Sequence, residues 1–264
     1  MSGVVYHYCS VDTFFNIIKN SSVWLSDISK SNDYQECVRC REFVNKGMKE
    51  YLRDDVDALK AWGNWYENGV SSNFSMKTFC VCFSESKDKL SQWRGYAQDG
   101  KGIAIGFDKE VLEELNQISE FHTAFGKVIY DNPREYVQGI IADNIKKLKY
   151  KGVEHVALEL SGNYRMQFPF VKNPGFKEEK EWRAVVCSGI GHYNIPSSEN
   201  ILFSKIKYRT ANNKLIPYIE MNFERVKQSI IQEIFIGPKS DVEIEDIINL
   251  LSFYGYYDDA EEGY

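Results

Sequence analysis

The spacing of apolar residues predicts a strand, a helix and a second strand at the start of the chain. Residues 4–8 are β-branched and aromatic, which is typical of a strand. Ser10 follows as a predicted helix N-cap. Apolar residues then recur at the i, i+3, i+4 and i+7 spacing of one helix face: Val11, Phe14, Phe15 and Ile18. Residues 23–26 predict the second strand, and the polar residues after them predict a loop.

Other apolar runs predict the strands of a sheet. Residues 78–84 are apolar almost without interruption, the pattern of a central strand buried on both faces. Further strands are predicted at residues 102–108, 125–130, 181–187 and 231–236, and around residues 201–208 and 215–221. This succession of strands predicts a β core.

Two long segments interrupt the strands with helical spacing, around residues 33–70 and 133–166. A last helix is predicted near the C-terminus, with Ser240 and Glu243 as a capping box and Gly255 as its stop. The predicted fold class is therefore α+β, with a mixed, mainly antiparallel β core and helical insertions. Residues 1–264 are expected to form a single domain, because no Gly-, Ser- or Pro-rich linker divides them.

Composition narrows the class of protein. The chain has 264 residues, 43% of them hydrophobic, which is enough for a sizeable core. A formal net charge of −6 argues against a global basic field for nucleic acid, although Lys146, Lys147, Lys149 and Lys151 lie close together in sequence. No secretory signal and no apolar run of the roughly 18 residues that a membrane helix needs is visible. We therefore expect a cytoplasmic protein with no membrane partner.

Six cysteines raise the question of a metal. Cys37 and Cys40 with Cys80 and Cys82 give the outline of a zinc site. The first pair lies in a predicted helix and the second alternates along a predicted strand, whereas zinc ribbons usually use two knuckle turns. Buried reduced thiols are the favoured interpretation, and no metal is predicted.

Polar residues near the predicted N-terminal strands are candidates for ligand contact. His7 lies between Tyr6 and Tyr8 inside a strand, where a lone histidine is more often structural. Asn32, Asp33 and Glu36 follow the second strand. These three residues fit a helix N-cap, although a helix N-terminus also favours anions.

A second group of candidates follows the central predicted strand. Ser84 and Glu85 end that strand, and Trp93, Arg94 and Tyr96 follow on a short polar segment. The aromatic residues and the arginine suit stacking on a ring and pairing with a phosphate, or they form a lid on the core. The spacings of P-loops, dinucleotide-binding loops, zincins and α/β-hydrolases are missing from the sequence.

A charged segment, FKEEKEWRAVV at residues 176–186, supplies the candidate carboxylate. In strand geometry Glu181 and Arg183 share one face, opposite Trp182. The segment is either an exposed edge with an ion pair or the place where a carboxylate enters a site. Position favours the second interpretation, with Glu181 as the site residue and Glu178 and Glu179 as more solvated rivals.

Taken in order, these motifs resemble a bacterial family catalogued only as a domain of unknown function. Its members carry Y-H-Y-x-S, N-D-x-x-E, C-F-S-E, W-x-x-Y-A, G-I-x-I-G-F, F-K-x-E-K-E-W-R and I-x-x-I-x-I-G-P. The corresponding segments here are residues 6–10, 32–36, 82–85, 93–97, 102–107, 176–183 and 231–238. The resemblance spans nearly the whole chain and implies little about activity.

The opening strand, helix and strand also resemble ADP-ribosyltransferases of the His-Tyr-Glu type. That resemblance implies an ADP-ribosyltransferase-like fold, NAD as substrate, and a nicotinamide ribose bound by a late glutamate, which here is Glu181. It implies that His7 holds a ribose hydroxyl or the pyrophosphate, and that Tyr96 or Ser84 takes the middle position. The remaining residues expected to bind NAD are Tyr8, Ser10, Asn32, Trp93, Arg94 and Arg183.

Three functions stay open at this point. The first is an NAD-dependent ADP-ribosyltransferase or NAD glycohydrolase, in the setting of a bacterial toxin or antiviral defence effector, with an undetermined protein or nucleic-acid target. The second is a non-catalytic sensor that binds a nucleotide or nucleic acid. The third is a Mg²⁺-dependent hydrolase or nuclease that uses Asp33, Glu36, Glu85 and Glu181.

Overall fold

The chain forms a curled antiparallel sheet with helices packed on both faces. The structure is a computed structural model that describes residues 3–31, 34–69, 76–117, 122–189, 202–211 and 213–257. Within them the strands are β1 Val4–Cys9, β2 Ser22–Asp27, β3 Met76–Ser84, β4 Ile103–Asp108, β5 His122–Lys127, β6 Glu181–Gly189, β7 Lys207–Ala211, β8 Lys214–Asn222 and β9 Ile231–Ile236. The helices are α1 Val11–Asn20, α2 Tyr34–Tyr51, α3 Val56–Asn64, α4 Leu90–Tyr96, α5 Lys109–Gln117, α6 Pro133–Met166, α7 Lys227–Ile230 and α8 Ile244–Phe253.

The sheet divides beside its central strand. On one side β3 pairs along its whole length with β6, which in turn pairs with β5. On the other side β2 pairs only with Phe79 and Cys80, and β1 only with Ser84. Between these contacts the sheet separates into two wings, β1-β4-β9 and β2-β8-β7. We call the gap between β1 and β2, beside residues 81–83 of β3, the fork.

Register assigns the side chains to two faces, because directly opposed residues of antiparallel strands share a face. One face, which we call the core face, carries Phe79, Val81 and Phe83 and packs against α1, α5 and α8. The opposite face carries Glu181 with its partner Ser84, and we call it the Glu181 face. The main hydrophobic core therefore lies on one side of the sheet and the candidate carboxylate on the other.

The two predicted helical insertions pack against each other in a second hydrophobic cluster. Met48 of α2, Trp62 of α3 and Val156 of α6 are fully buried there. The cluster continues to the short turn Phe168–Phe170, where the carbonyl of Pro169 accepts a hydrogen bond from Arg183. The two helical insertions therefore flank the β core and cover part of its Glu181 face.

Helix α6 differs from the single continuous helix that the sequence predicts for residues 133–166. It is interrupted at Gly152, whose backbone has φ 74° and ψ 170°. Lys147 then pairs with Glu159, and the Tyr136 hydroxyl bonds to Gln167 at 3.2 Å, so the two arms run antiparallel. The helix breaks at this position because Gly152 can adopt a backbone conformation that is almost closed to other residues.

The N-terminal prediction is confirmed in detail. The backbone N–H of Thr13 donates to Ser10 Oγ at 3.1 Å, so Ser10 caps α1. The strands at residues 78–84, 102–108, 181–187 and 231–236 are also confirmed, with ends shifted by one or two residues. Runs of β-branched and aromatic residues were enough to predict these strands, because each strand lies in the interior of the sheet or pairs with an interior strand.

Three predictions about the remaining elements were wrong, and one helix was missed. The strand at residues 125–130 is β5, which lies at His122–Lys127, because Ile129 leaves the sheet and bridges Val171. The strand around residues 201–208 begins only at Lys207. The capping box does not form, because Ser240 Oγ accepts from Val242 two residues later, in a turn before α8. Helix α5 was not predicted at all.

The helices were also compared with the requirements of a lipid bilayer. None of the described helices combines the length and the apolar character needed to cross one.

Candidate functional site

Glu181 is the centre of a buried ion cluster at the start of β6. Its side chain is almost fully buried, with 5% of the residue exposed. Arg183 Nε donates to Glu181 Oε1 at 2.8 Å, and Arg183 Nη2 donates to Oε2 at 3.0 Å. The two side chains share a face, while Trp182 packs against the core on the other side. The predicted alternation of Glu181, Trp182 and Arg183 is confirmed.

Two further residues complete the cluster, which we define as Lys172, Glu179, Glu181 and Arg183. Lys172 Nζ lies 3.0 Å from Glu181 Oε2 and 2.5 Å from Glu179 Oε2. Two acidic and two basic groups thus balance one another in a place with little water. The expectation that Glu178 and Glu179 are both solvated is correct for Glu178 only, because Lys172 draws the Glu179 carboxylate into the cluster.

The cluster keeps the Glu181 carboxylate ionised. Burial by itself raises the pKa of a carboxylate, but here Arg183 and Lys172 outweigh that effect and lower the pKa of Glu181. Burial likewise opposes the charge of Arg183, and the neighbouring Cys82 and Glu181 raise the pKa of the guanidinium well above its usual range. The Glu181 carboxylate is therefore a negative charge with a fixed position and orientation.

The chain before β6 explains how the carboxylate reaches this position. Asn173 Oδ1 accepts from the backbone of Gly175 and starts the turn Pro174–Glu179. Lys180 then adopts a left-handed backbone with φ 46°, which ends the turn and directs the next residue into the sheet. The Glu181 N–H donates to the hydroxyl of Tyr130 at 3.2 Å. The turn that contains Pro174 and Gly175 thus delivers Glu181 to the first position of β6.

Tyr96 forms an accessible edge of this site. It ends α4, and 53% of the residue is exposed. Burial of its hydroxyl and the charge of Glu179 raise its pKa, and Lys172, Cys82 and Glu181 also act on it. The hydroxyl therefore lies within electrostatic reach of the cluster, and about half of the residue is exposed.

His7 approaches the same region from the fork. Its Nδ1 lies 3.0 Å from the carbonyl oxygen of Cys82. The Cys82 thiol lies on the Glu181 face, where it contacts Cys80 and the Glu181 carboxylate. His7 and Glu181 thus contact one residue from two sides. Register assigns them to opposite faces of the sheet, because Tyr6 is the β1 residue that shares the face of Ser84 and Glu181.

The hydrogen bond also fixes what His7 can do. A carbonyl only accepts, so Nδ1 must carry the proton, and neutral imidazole then leaves Nε2 as an acceptor. Burial lowers the pKa of His7, which favours this neutral form. A neutral ring that carries its proton at Nδ1 has no second N–H to donate to a pyrophosphate, and its Nε2 can accept a hydrogen bond from a ribose hydroxyl.

Three other predicted residues are held by structural contacts. Ser84 Oγ donates to the backbone carbonyl of Glu179 at 2.7 Å and is buried. The Tyr8 hydroxyl donates to the carbonyl of Ser86, and its ring meets that of Trp93 edge-on. Trp93 is buried and bonds to Asp88. Ser84 supports the turn beside Glu181, and the two aromatic residues attach α4 to β1, so none of them offers a free group to a ligand.

The remaining predicted residues either have other contacts or lie outside the described part of the chain. Ser10 uses its hydroxyl to cap α1. Arg94 is exposed and lies 3.8 Å from Asp99, away from the cluster, and Arg183 is locked in the cluster. Asn32 and Asp33 lie outside the described residues, as does the side chain of Glu36, whose backbone belongs to α2.

Sequence reasoning missed Lys172, Tyr130 and Cys82. Lys172 is 2% exposed, and its sequence signal is its position directly after the apolar pair Phe170 and Val171. Burial and Glu181 raise the pKa of Tyr130 to about 12, so it stays a neutral hydroxyl beneath the strand. The pairing of Cys82 with Arg183 depends on sheet register, which the sequence does not encode locally.

The cysteine pairs lie on the elements predicted for them. Cys37 and Cys40 belong to α2, and Cys80 and Cys82 belong to β3. Among the described residues, all six cysteines are free of disulfides, and no group of three or more His, Cys, Asp or Glu side chains is arranged to hold a metal ion.

One comparison with known proteins gives a match. Residues 92–184 match the model of a family described as a protein of unknown function, DUF2971. The matched range runs from α4 into β6 and includes Tyr96, Lys172, Glu179, Glu181 and Arg183. Neither the curated proteins nor the solved structures include a match to this chain.

Proposed function

We propose that this chain consumes NAD, as an ADP-ribosyltransferase or NAD glycohydrolase, with Glu181 as its catalytic carboxylate. The observation that supports the proposal is the arrangement around Cys82. An ionised, buried carboxylate contacts its thiol, and a neutral histidine contacts its carbonyl. An exposed aromatic ring, Tyr96, stands next to the carboxylate. These are the residue types that the resemblance to His-Tyr-Glu transferases implies, on an antiparallel sheet in which β3 lies between the strands of His7 and Glu181.

The proposed chemistry is cleavage of the bond between nicotinamide and ribose. The bonding electron pair leaves with the nicotinamide nitrogen, and positive charge develops at the ribose carbon and ring oxygen. A fixed carboxylate stabilises that charge more in the transition state than in the ground state, and so accelerates the reaction. Water or an acceptor nucleophile then attacks the ribose carbon and loses its proton, which yields ADP-ribose or an ADP-ribosylated acceptor.

The proposed roles are divided among Arg183, Tyr96 and His7. Arg183 orients Glu181 through two hydrogen bonds, so the carboxylate requires no rearrangement during the reaction. Tyr96 stacks on the nicotinamide ring. His7, whose Nδ1 is bound to the Cys82 carbonyl, accepts a hydrogen bond from a ribose hydroxyl at Nε2. In a bacterial cell this activity suits a toxin or an antiviral defence effector, and the acceptor is a protein or a nucleic acid.

The direct test is nicotinamide release from NAD by the wild type, Glu181→Gln and Glu179→Gln. Both variants remove one negative charge from the same cluster, but only the first removes the catalytic group. We expect Glu181→Gln to lower the rate by about 100- to 1,000-fold, and Glu179→Gln to lower it far less. Equal losses in the two variants would assign the effect to the cluster's stability rather than to catalysis.

A second candidate is a sensor that binds a nucleotide without turnover. The observation that favours it is that both Glu181 oxygens already accept hydrogen bonds and the cluster is charge-balanced, as in a purely structural ion network. A nucleotide that raises the melting temperature, is recovered unchanged and binds equally well to Glu181→Gln would support the sensor and exclude the enzyme.

A further inference from the structure

Arg209 on β7 is a half-buried cation that no acidic residue pairs with among those the structure describes. Its Nη2 donates to Ser26 Oγ at 3.1 Å, and its guanidinium lies 5.9 Å from the centre of the Trp24 ring. Its Nε is shielded from solvent and lacks an acceptor. Within the described part of the chain no carboxylate pairs with it, in contrast to Lys207 two residues earlier, which pairs with Glu220 at 2.6 Å.

Aromatic contacts fix the position of this guanidinium. The rings of Trp24 and Tyr218 lie 4.6 Å apart between centroids, in a tilted stack. Trp24 therefore contacts both Tyr218 and Arg209, and the hydrogen bond to Ser26 Oγ restrains the guanidinium further. An arginine held in this way loses little conformational freedom when it binds a planar anionic group.

Register places Arg209 on the Glu181 face and close to the fork. Arg209 opposes Ile216 on β8, and Tyr218 on the same face of β8 opposes Ser26. Ser26 in turn opposes Cys80, the thiol neighbour of Cys82. The guanidinium thus lies on the β2-β8-β7 wing, on the same face as the cluster and across the fork from β1.

We propose that Arg209 binds a phosphate group of a nucleotide ligand, and that Trp24 and Ser26 are positioning residues for it. An unpaired, partly desolvated guanidinium is costly unless an anion completes its hydrogen bonds, and phosphate oxygens match its planar donors. The inference deepens the proposed function, on which it rests, by assigning the diphosphate of NAD to the wing opposite β1. It replaces Arg94 and Arg183, which the sequence indicated for this role.

The test is calorimetric titration of ADP, pyrophosphate and adenosine into the wild type, Arg209→Gln, Arg209→Lys and Lys207→Gln. We expect Arg209→Gln to weaken binding of ADP and pyrophosphate by about 10- to 100-fold. Arg209→Lys should give an intermediate loss, because lysine keeps the charge without the planar fork. Lys207→Gln removes a charge from the same strand and face, and should change affinity by less than about threefold, because that charge is already paired.

The outcomes separate this inference from the proposed function. Equal ADP affinity in the wild type and Arg209→Gln, or a wild type that binds neither ADP nor pyrophosphate at millimolar concentration, overturns the phosphate site. Adenosine binding as tightly as ADP overturns it as well. ADP binding that depends on Arg209 in a protein that releases no nicotinamide supports the site and refutes NAD cleavage. Nicotinamide release that is insensitive to Arg209→Gln supports NAD cleavage and refutes the phosphate site. Arg209→Lys tests the site even where Arg209→Gln is poorly folded.

Discussion

At the scale of single residues, the Glu181 cluster joins stability to the proposed chemistry. The carboxylate is ionised because Arg183 and Lys172 lower its pKa against the effect of burial. Those two cations are buried as well, with 1% and 2% of each residue exposed. Removing the carboxylate therefore leaves two cations with fewer partners in a place where water cannot replace it.

The first prediction follows from that dependence. Glu181→Gln should lower the free energy of unfolding by about 3 kcal/mol, because breaking a buried ion pair strands its partners. Glu178→Gln is the matched control in the same segment, since Glu178 is exposed and 3.4 Å from Lys89. Its effect should stay within about 0.5 kcal/mol. Urea denaturation of both variants measures the difference, and similar values for the two would refute the buried network.

A second residue-scale prediction concerns His7 and pH. Burial lowers its pKa below the ordinary value of 6.5, so the folded chain binds the proton more weakly than the unfolded chain. The stability that neutral His7 contributes is complete above pH 6.5 and is lost as the pH falls through its lowered pKa. The difference in unfolding free energy between the wild type and His7→Gln should therefore shrink from pH 8 to pH 5. A difference that grows in this range would contradict the neutral assignment.

At the scale of elements, the reversal of α6 depends on one glycine. Gly152 has φ 74° and ψ 170°, and a Cβ added there meets nothing within 4 Å. A side chain at this position is therefore opposed by backbone strain alone. Gly139 lies in the first arm of α6, and a Cβ added there also meets nothing within 4 Å.

This pair of glycines gives the third prediction. Gly152→Ala should destabilise the protein by about 1–3 kcal/mol, because alanine is strained in this backbone region. Gly139→Ala should be neutral or stabilising by up to about 1 kcal/mol, because it improves a helical position. Thermal unfolding of the two variants checks both signs. A neutral Gly152→Ala would indicate that the arms do not reverse at this residue.

The elements also show which structural features could be predicted from the sequence. Hydrophobic spacing and the Ser10 cap were enough for β1, α1 and β2, because each signal lies within a few residues. Alternation placed Glu181 and Arg183 on one face for the same reason. The sequence did not reveal Cys82 as the link between His7 and Glu181, because that link follows from strand pairings between distant segments. It did not reveal Lys172 as a partner either, because the chain between Lys172 and Glu181 folds back through a turn that periodicity does not predict. Gly152 is visible in the sequence, but the helical spacing on both sides of it predicts one continuous helix.

At the scale of the whole molecule, the divided sheet places Glu181, Tyr96 and Arg209 on one face, whereas His7 reaches the fork from the opposite face. The β1-β4-β9 wing carries His7 and supports Tyr96 through α4, while the β2-β8-β7 wing carries Arg209. Strand β3 joins the wings, and β6 beside it holds Glu181. A ligand that spans the fork would meet groups from both wings, which suits a dinucleotide with a cationic ring at one end and a diphosphate in its middle.

The measurement that tests this account most directly is the rate of nicotinamide release from NAD by the wild type and Glu181→Asp, at a temperature where both are folded. Aspartate keeps the negative charge of the cluster but withdraws the carboxylate by one methylene group, so a catalytic role and a structural role separate. We predict measurable release by the wild type and a loss of about 100-fold or more in the variant. Absence of release by the wild type with candidate protein and nucleic-acid acceptors present, or equal rates in the two proteins, would contradict the claim.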